Sequence, residues 1–159
     1  MENALRHHIS ISFEKDPATY KTLSDRLEGI LTSHHEDWDE IARQLQALID
    51  EANSRSGGGF TVHGLEPHTE APIFGILRLR YGNDDRDADL AELSARIVKH
   101  LREESAISGF WDNSVSQEEI RRWIFQHLDN SSIFDFGDLD ATSSDCMGVA
   151  RANRAAFTL

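Results

Sequence analysis

The sequence predicts an all-α fold, an irregular multi-helix bundle of about five to seven helices. Three observations predict it. Apolar residues recur at three- and four-residue spacing through most of the chain, which is the period of one helix face. Helix-start chemistry precedes two of these stripes, at Asp16-Pro17 and at Ser116 with Glu119. Only Ile9, Ile11 and Phe13 alternate as a strand would, and no second strand is visible to pair with them.

The elements follow in order. Leu5, Ile9 and Phe13 also fall four apart, and with no partner strand the helix is the reading taken. Asp16 then offers a capping carboxylate, and Pro17 takes the first helical position, where a missing N–H is no loss. Tyr20, Leu23, Leu27, Ile30 and Leu31 share one face of that helix. A further stripe runs through Trp38, Ile41, Leu45, Leu48, Ile49 and Ala52, and the short connection through His34 and His35 suits an antiparallel hairpin. Residues 54–64 form a Gly-rich loop around Gly57-Gly58-Gly59. A phosphate cradle would need a Gly-Lys step, and the chain has none.

Thr69 is expected to cap a helix bearing Ile73, Phe74, Ile76, Leu77 and Leu79. A polar turn rich in aspartate leads to the next, with Leu90, Leu93, Ile97 and Leu101. Ser116 and Glu119 have capping-box spacing ahead of Ile120, Trp123, Ile124 and Leu128. Trp38 and Trp123 lie on apolar stripes and are expected to be buried. Residues 1–130 thus read as one helical assembly domain. Residues 131–159 read as a loosely ordered, acidic and small-residue tail, with one further short helix from about Ser144.

Charge narrows the function. The 16 basic residues face 28 acidic ones, a net charge of −12. A nucleic-acid surface neutralises phosphates with Lys and Arg, so no direct nucleic-acid partner is expected; an acidic surface suits a basic protein partner. A lone Cys146 fits a reducing cytoplasm, and no apolar run approaches the roughly 18 residues of a membrane span.

No catalytic, cofactor-binding or metal-binding residues are expected. His7-His8 and His34-His35 are adjacent pairs rather than i, i+4 pairs, and HExxH is absent. His63 and His68 stand singly, and His100 and His127 fall near helix C-termini, which favour a cation. Asp84, Asp85, Asp87 and Asp89 lack the EF-hand glycine and its closing Glu. No lysine follows a Glu at the two-residue spacing of a restriction-type nuclease. Cys146 has no base beside it in sequence and reads as an inert thiol. A small enzyme using the His and Asp clusters would instead carry stoichiometric metal. Trp111 in GFWDN, and Phe134 and Phe136 in IFDF, fall in irregular segments. They are the candidate partner-binding residues, since aromatics anchor interfaces.

Two segments carry a resemblance. ALRHHISISFEKDPATYKTLSDRLEGIL with DWDEIARQLQALIDE, and later DLAELSARIVKHLREESAISGFWDNSVSQEEIRRWIFQHL, resemble the region after the motor in the R subunit of type I restriction enzymes. GLEPHTEAPIFGIL between them is similar to that family's short linking segment, so the likeness runs from Ala4 to Leu128. The resemblance implies the non-catalytic C-terminal helical domain that docks the R subunit onto the methyltransferase and specificity subunits. The ATP- and Mg-dependent translocase and endonuclease would belong to the rest of the R subunit, with Met1 an added start. The family continues with a basic helical extension, whereas DNSSIFDFGDLD here is acidic. The alternative is a freestanding helical protein–protein adaptor.

Overall fold

The structure is a computed structural model that describes residues 2–33, 38–56 and 64–158. His34-His35, His63 and the Gly57–Gly59 triplet lie outside the described residues. Among the described residues eight α-helices follow one another: α1 (Glu2–Ser12), α2 (Pro17–Ser33), α3 (Trp38–Ser56), α4 (Glu70–Tyr81), α5 (Asp87–Ser105), α6 (Ser114–Ser131), α7 (Leu139–Ala152) and α8 (Arg154–Phe157). Short 3₁₀ turns at Phe110–Asp112 and Phe136–Asp138 bracket α6. Among the described residues there is no strand, and no helix is long and apolar enough to cross a membrane. The fold is all-α, and its eight helices slightly exceed the number expected.

Helices α1–α3 enclose a small core of Leu5, Ile9, Tyr20, Leu23, Leu27, Ile41, Leu45, Leu48 and Ala52. The helical reading of the first residues holds: Leu5 and Ile9 are buried four apart, while Ile11 is exposed and Phe13 falls in the turn after α1. Asp16 Oδ1 accepts the Thr19 N–H at 3.2 Å, the capping bond its sequence position promised. Trp38 departs from expectation, being 76% exposed. Helical side chains lean toward the N-terminus, so the first residue of α3 reaches past the helix end instead of over a neighbouring turn.

The larger core belongs to α4–α8. Helix α4 packs against α2, α5 and α7 and accordingly buries Pro72, Ile73, Phe74, Ile76 and Leu77 around most of its circumference, although Leu79 is 49% exposed. Gly75 permits the approach of α2: a Cβ there would stand 2.8 Å from Ala18 Cβ. Gly82, at φ +81°, closes α4 in the left-handed region, its N–H bonded to Arg78 O.

Two caps differ from the sequence reading. Thr69 makes no capping bond; its Oγ1 donates to Glu66 Oε2 at 3.0 Å. Asn113 caps α6, its Oδ1 accepting from Val115 N at 3.0 Å and Ser116 N at 3.2 Å, so that helix starts before the predicted cap at Ser116. Asn113 has the extended backbone and the short carbonyl side chain that a cap requires.

Residues 131–159 also differ from the loose tail expected. They form α7, of 14 residues, and α8, and bury Leu139, Cys146, Met147, Val149, Ala150 and Phe157 in the larger core. Thr142 and Ser143 are buried with them, because each hydroxyl donates to its own helix, to Asp138 O at 2.7 Å and Asp140 O at 2.9 Å. Asn153 Nδ2 donates to Lys15 O at 2.8 Å, joining the end of the fold to its beginning.

Candidate functional site

Helix α6 organises the surface around it. At about 100° per residue, Ser116, Glu119, Trp123 and His127 fall on one flank, and Glu118, Arg121 and Phe125 on the other. Between them Ile120, Ile124 and Leu128 are buried in the core. Gln117 locks the N-terminal end. It is buried, donates to Phe110 O at 3.1 Å and Trp111 O at 2.9 Å, and accepts from Arg151 Nη2 of α7 at 2.8 Å.

The three aromatic residues singled out by sequence are not brought to one place. Trp111 is half-buried just before α6, edge-on to Phe110 and Phe157 with centroids at 5.0 and 6.2 Å. Phe134 and Phe136 follow the other end of α6, and the 18 residues between the two ends span about 27 Å. Phe134 is half-buried against the larger core. Phe136 is 74% exposed and meets Phe125 edge-on, centroids 5.9 Å apart with the rings at 90°. Of the three, Phe136 alone offers most of its ring to a partner.

The flank shared with Phe125 is dominated by arginine. Arg121 binds Glu118 at 2.7 Å and Asp140 of α7 at 2.6 Å, and Arg122 binds Glu118 at 3.3 Å. Hydrogen bonding from Arg121 holds the Glu118 carboxyl down at about 2. This economy extends over the molecule: among the described residues, ten arginines make ion pairs with carboxylates, including Arg6, Arg26, Arg80 and Arg102. Most of the basic charge is thereby spent internally, and the surplus left to the surface is negative.

The opposite flank holds an arrangement that sequence reasoning missed. Trp123 stacks on His100 of α5, centroids 4.0 Å apart at 27°, and on His127, 3.6 Å apart at 25°. Two rings so close and so nearly parallel to one indole cannot share a face, so the histidines cover both. The His127 Nδ1 lies 2.9 Å from Trp123 O, which can only accept, so Nδ1 carries the hydrogen. The i, i+4 spacing of Trp123 and His127 was legible; the arrival of His100 from another helix was not. Trp123 is therefore half-buried rather than wholly in the core. Beside it opens a cleft of about 400 Å³, lined among others by His100, Glu104, Ile107, Phe110, Glu119 and Ile120.

Among the described residues no group of three or more His, Cys, Asp or Glu could hold a metal ion. Cys146 is fully buried, and desolvation pushes its thiol up to about 12, which removes the thiolate needed for nucleophilic chemistry. The chain matches no family model, no curated protein and no solved structure.

Proposed function

We propose that this chain is a non-catalytic protein-docking module, the C-terminal helical domain of a type I restriction R subunit. In that role it holds the motor and nuclease against the methyltransferase–specificity core of a cytoplasmic complex, so that translocation pulls on an anchored point. The supporting observation is Phe136. Its ring is 74% exposed, braced on Phe125, and neighboured in sequence by Asp135 and Asp138. An exposed aromatic anchor is how protein interfaces are built, and the net charge of −12 favours a basic partner surface. The restriction-enzyme setting comes from the sequence resemblance.

Co-elution of residues 1–159 with the cognate methyltransferase–specificity complex, followed by light scattering, tests this. A stable mass shift is expected, weakened by salt. Phe136→Ala should leave the melting temperature in place and weaken binding by about 30-fold, the effect of losing an interface hot spot worth about 2 kcal/mol. Wild-type affinity in a folded Phe136→Ala variant would remove Phe136 from the interface; no mass shift with the wild-type chain would remove the docking assignment.

A further inference from the structure

We infer that the cleft between the end of α5 and the start of α6 receives a single lysine or arginine side chain from a basic segment of a protein partner. Glu104 and Glu119 would take the charge, and Ile107, Phe110 and Ile120 the methylene stem. This rests on the reading of the chain as a docking module, and it adds a contact on the flank of α6 opposite Phe136.

Charge identifies the occupant. Among the described residues neither the Glu104 nor the Glu119 side chain has an ion-pair or hydrogen-bond partner, unlike Glu66, Glu92, Glu118 and Asp140, which are each held by an arginine. Both line the cleft, and no Lys or Arg does. In a molecule of net charge −12, this concavity repels phosphate and carboxylate ligands and attracts a cation. Shape agrees. About 400 Å³ is ample for one long side chain and too small for a helix.

The remaining walls specify what kind of cation. Ile107 lines the cleft while 61% exposed. This apolar surface is left unused by either core. Lys and Arg carry an apolar stem beneath a charged head, so they match a cleft with apolar walls and two carboxylates better than a bare metal ion does. Ring stacking is not the mode of capture, because both faces of Trp123 are already covered by His100 and His127. Charge-assisted hydrogen bonds to the carboxylates are.

Titration of the ¹⁵N-labelled full chain with acetyl-Ala-Arg-Ala-amide tests the cleft without any natural partner. Saturable shifts are expected at Glu104, Ile107, Glu119 and the Trp123 indole, and none with the citrulline peptide, which keeps the shape and lacks the charge. Glu104→Gln with Glu119→Gln should weaken the binding about tenfold. Glu14→Gln with Asp129→Asn, an equal change of charge elsewhere, should leave it unchanged. Shifts scattered over the acidic surface without saturation, or equal binding by the two double variants, would overturn the assignment. The partner assay separates the two ideas. Co-elution retained by Glu104→Gln/Glu119→Gln with no peptide response leaves docking intact and removes the cleft. Failure of the wild-type chain to co-elute removes docking, and the peptide titration still decides the cleft.

Discussion

In the α1–α3 cluster the buried side chains fall three or four residues apart on their helices, as in Tyr20, Leu23 and Leu27 or Ile41, Leu45, Leu48 and Ala52. In the α4–α8 cluster the buried set includes the near-continuous Pro72, Ile73, Phe74, Ile76 and Leu77, and the small polar Thr142, Ser143 and Cys146. The first cluster is made of peripheral helices that each keep a wet face. The second has a central helix, α4, covered by α2, α5 and α7. Amphipathicity marks helices at the edge of a fold; a helix surrounded by others loses it.

The largest expected effects test whether these cores are separable. Leu77→Ala and Leu48→Ala each empty a fully buried site, and each should cost about 2–5 kcal/mol. Their consequences should differ in place. Leu77→Ala should speed labelling of the buried Cys146 by a thiol reagent, while Leu48→Ala should chiefly release amide protection in α1–α3. Equal acceleration of Cys146 labelling by both would show one cooperative unit.

A smaller effect is expected where the clusters meet. Gly75→Ala would drive a Cβ to 2.8 Å from Ala18 Cβ, and such overpacking should cost about 1–3 kcal/mol. Ala18→Gly should restore part of the loss in the double variant, as read by urea denaturation. Additive losses in the pair would mean that α2 and α4 do not meet through these residues.

The smallest effect concerns pH in the larger cluster. Glu118 has its folded carboxyl lowered to about 2, chiefly by hydrogen bonding from Arg121. Its contribution is therefore present above the ordinary carboxylate range and is lost as pH falls from that range toward about 2. In Arg121→Ala the Glu118 carboxyl, followed by carbon NMR, should titrate higher than in the wild type, while the remaining bond from Arg122 still holds it below the usual glutamate value. An unchanged titration would assign the shift to another group.

The same contrast explains what could be read from sequence. Helices α2, α3, α5 and α6 were legible because each shows the 3.6-residue period, and the Asp16 cap because its carboxylate stands at the right distance from Thr19. Helix α7 was not, although Leu139, Thr142, Cys146, Met147 and Ala150 do recur on one face. Its stripe is written in small and hydroxyl-bearing residues, whose burial depends on hydrogen bonds back to their own helix. Of the three aromatics in irregular segments, Phe136 was found exposed. Trp111 was not, because Phe157, which packs on it, lies 46 residues further along the chain. The α5–α6 cleft has no local signature at all, since its walls come from two helices and the turn between them.

The hydrogen bond from Asn153 to Lys15 spans 138 residues and so sets an order of events during synthesis. At the usual pace of about 5–20 residues per second, roughly 7–28 s separate the appearance of the two partners at the ribosome. Within that interval the 71 residues from the end of α4 at Tyr81 to the end of α7 at Ala152 take about 4–14 s, during which α1–α3 can form their own core but α4 lacks the cover that α7 provides. The half-made chain thus carries its most apolar helix uncapped for seconds, and a nascent-chain chaperone would meet α4 rather than the N-terminal helices.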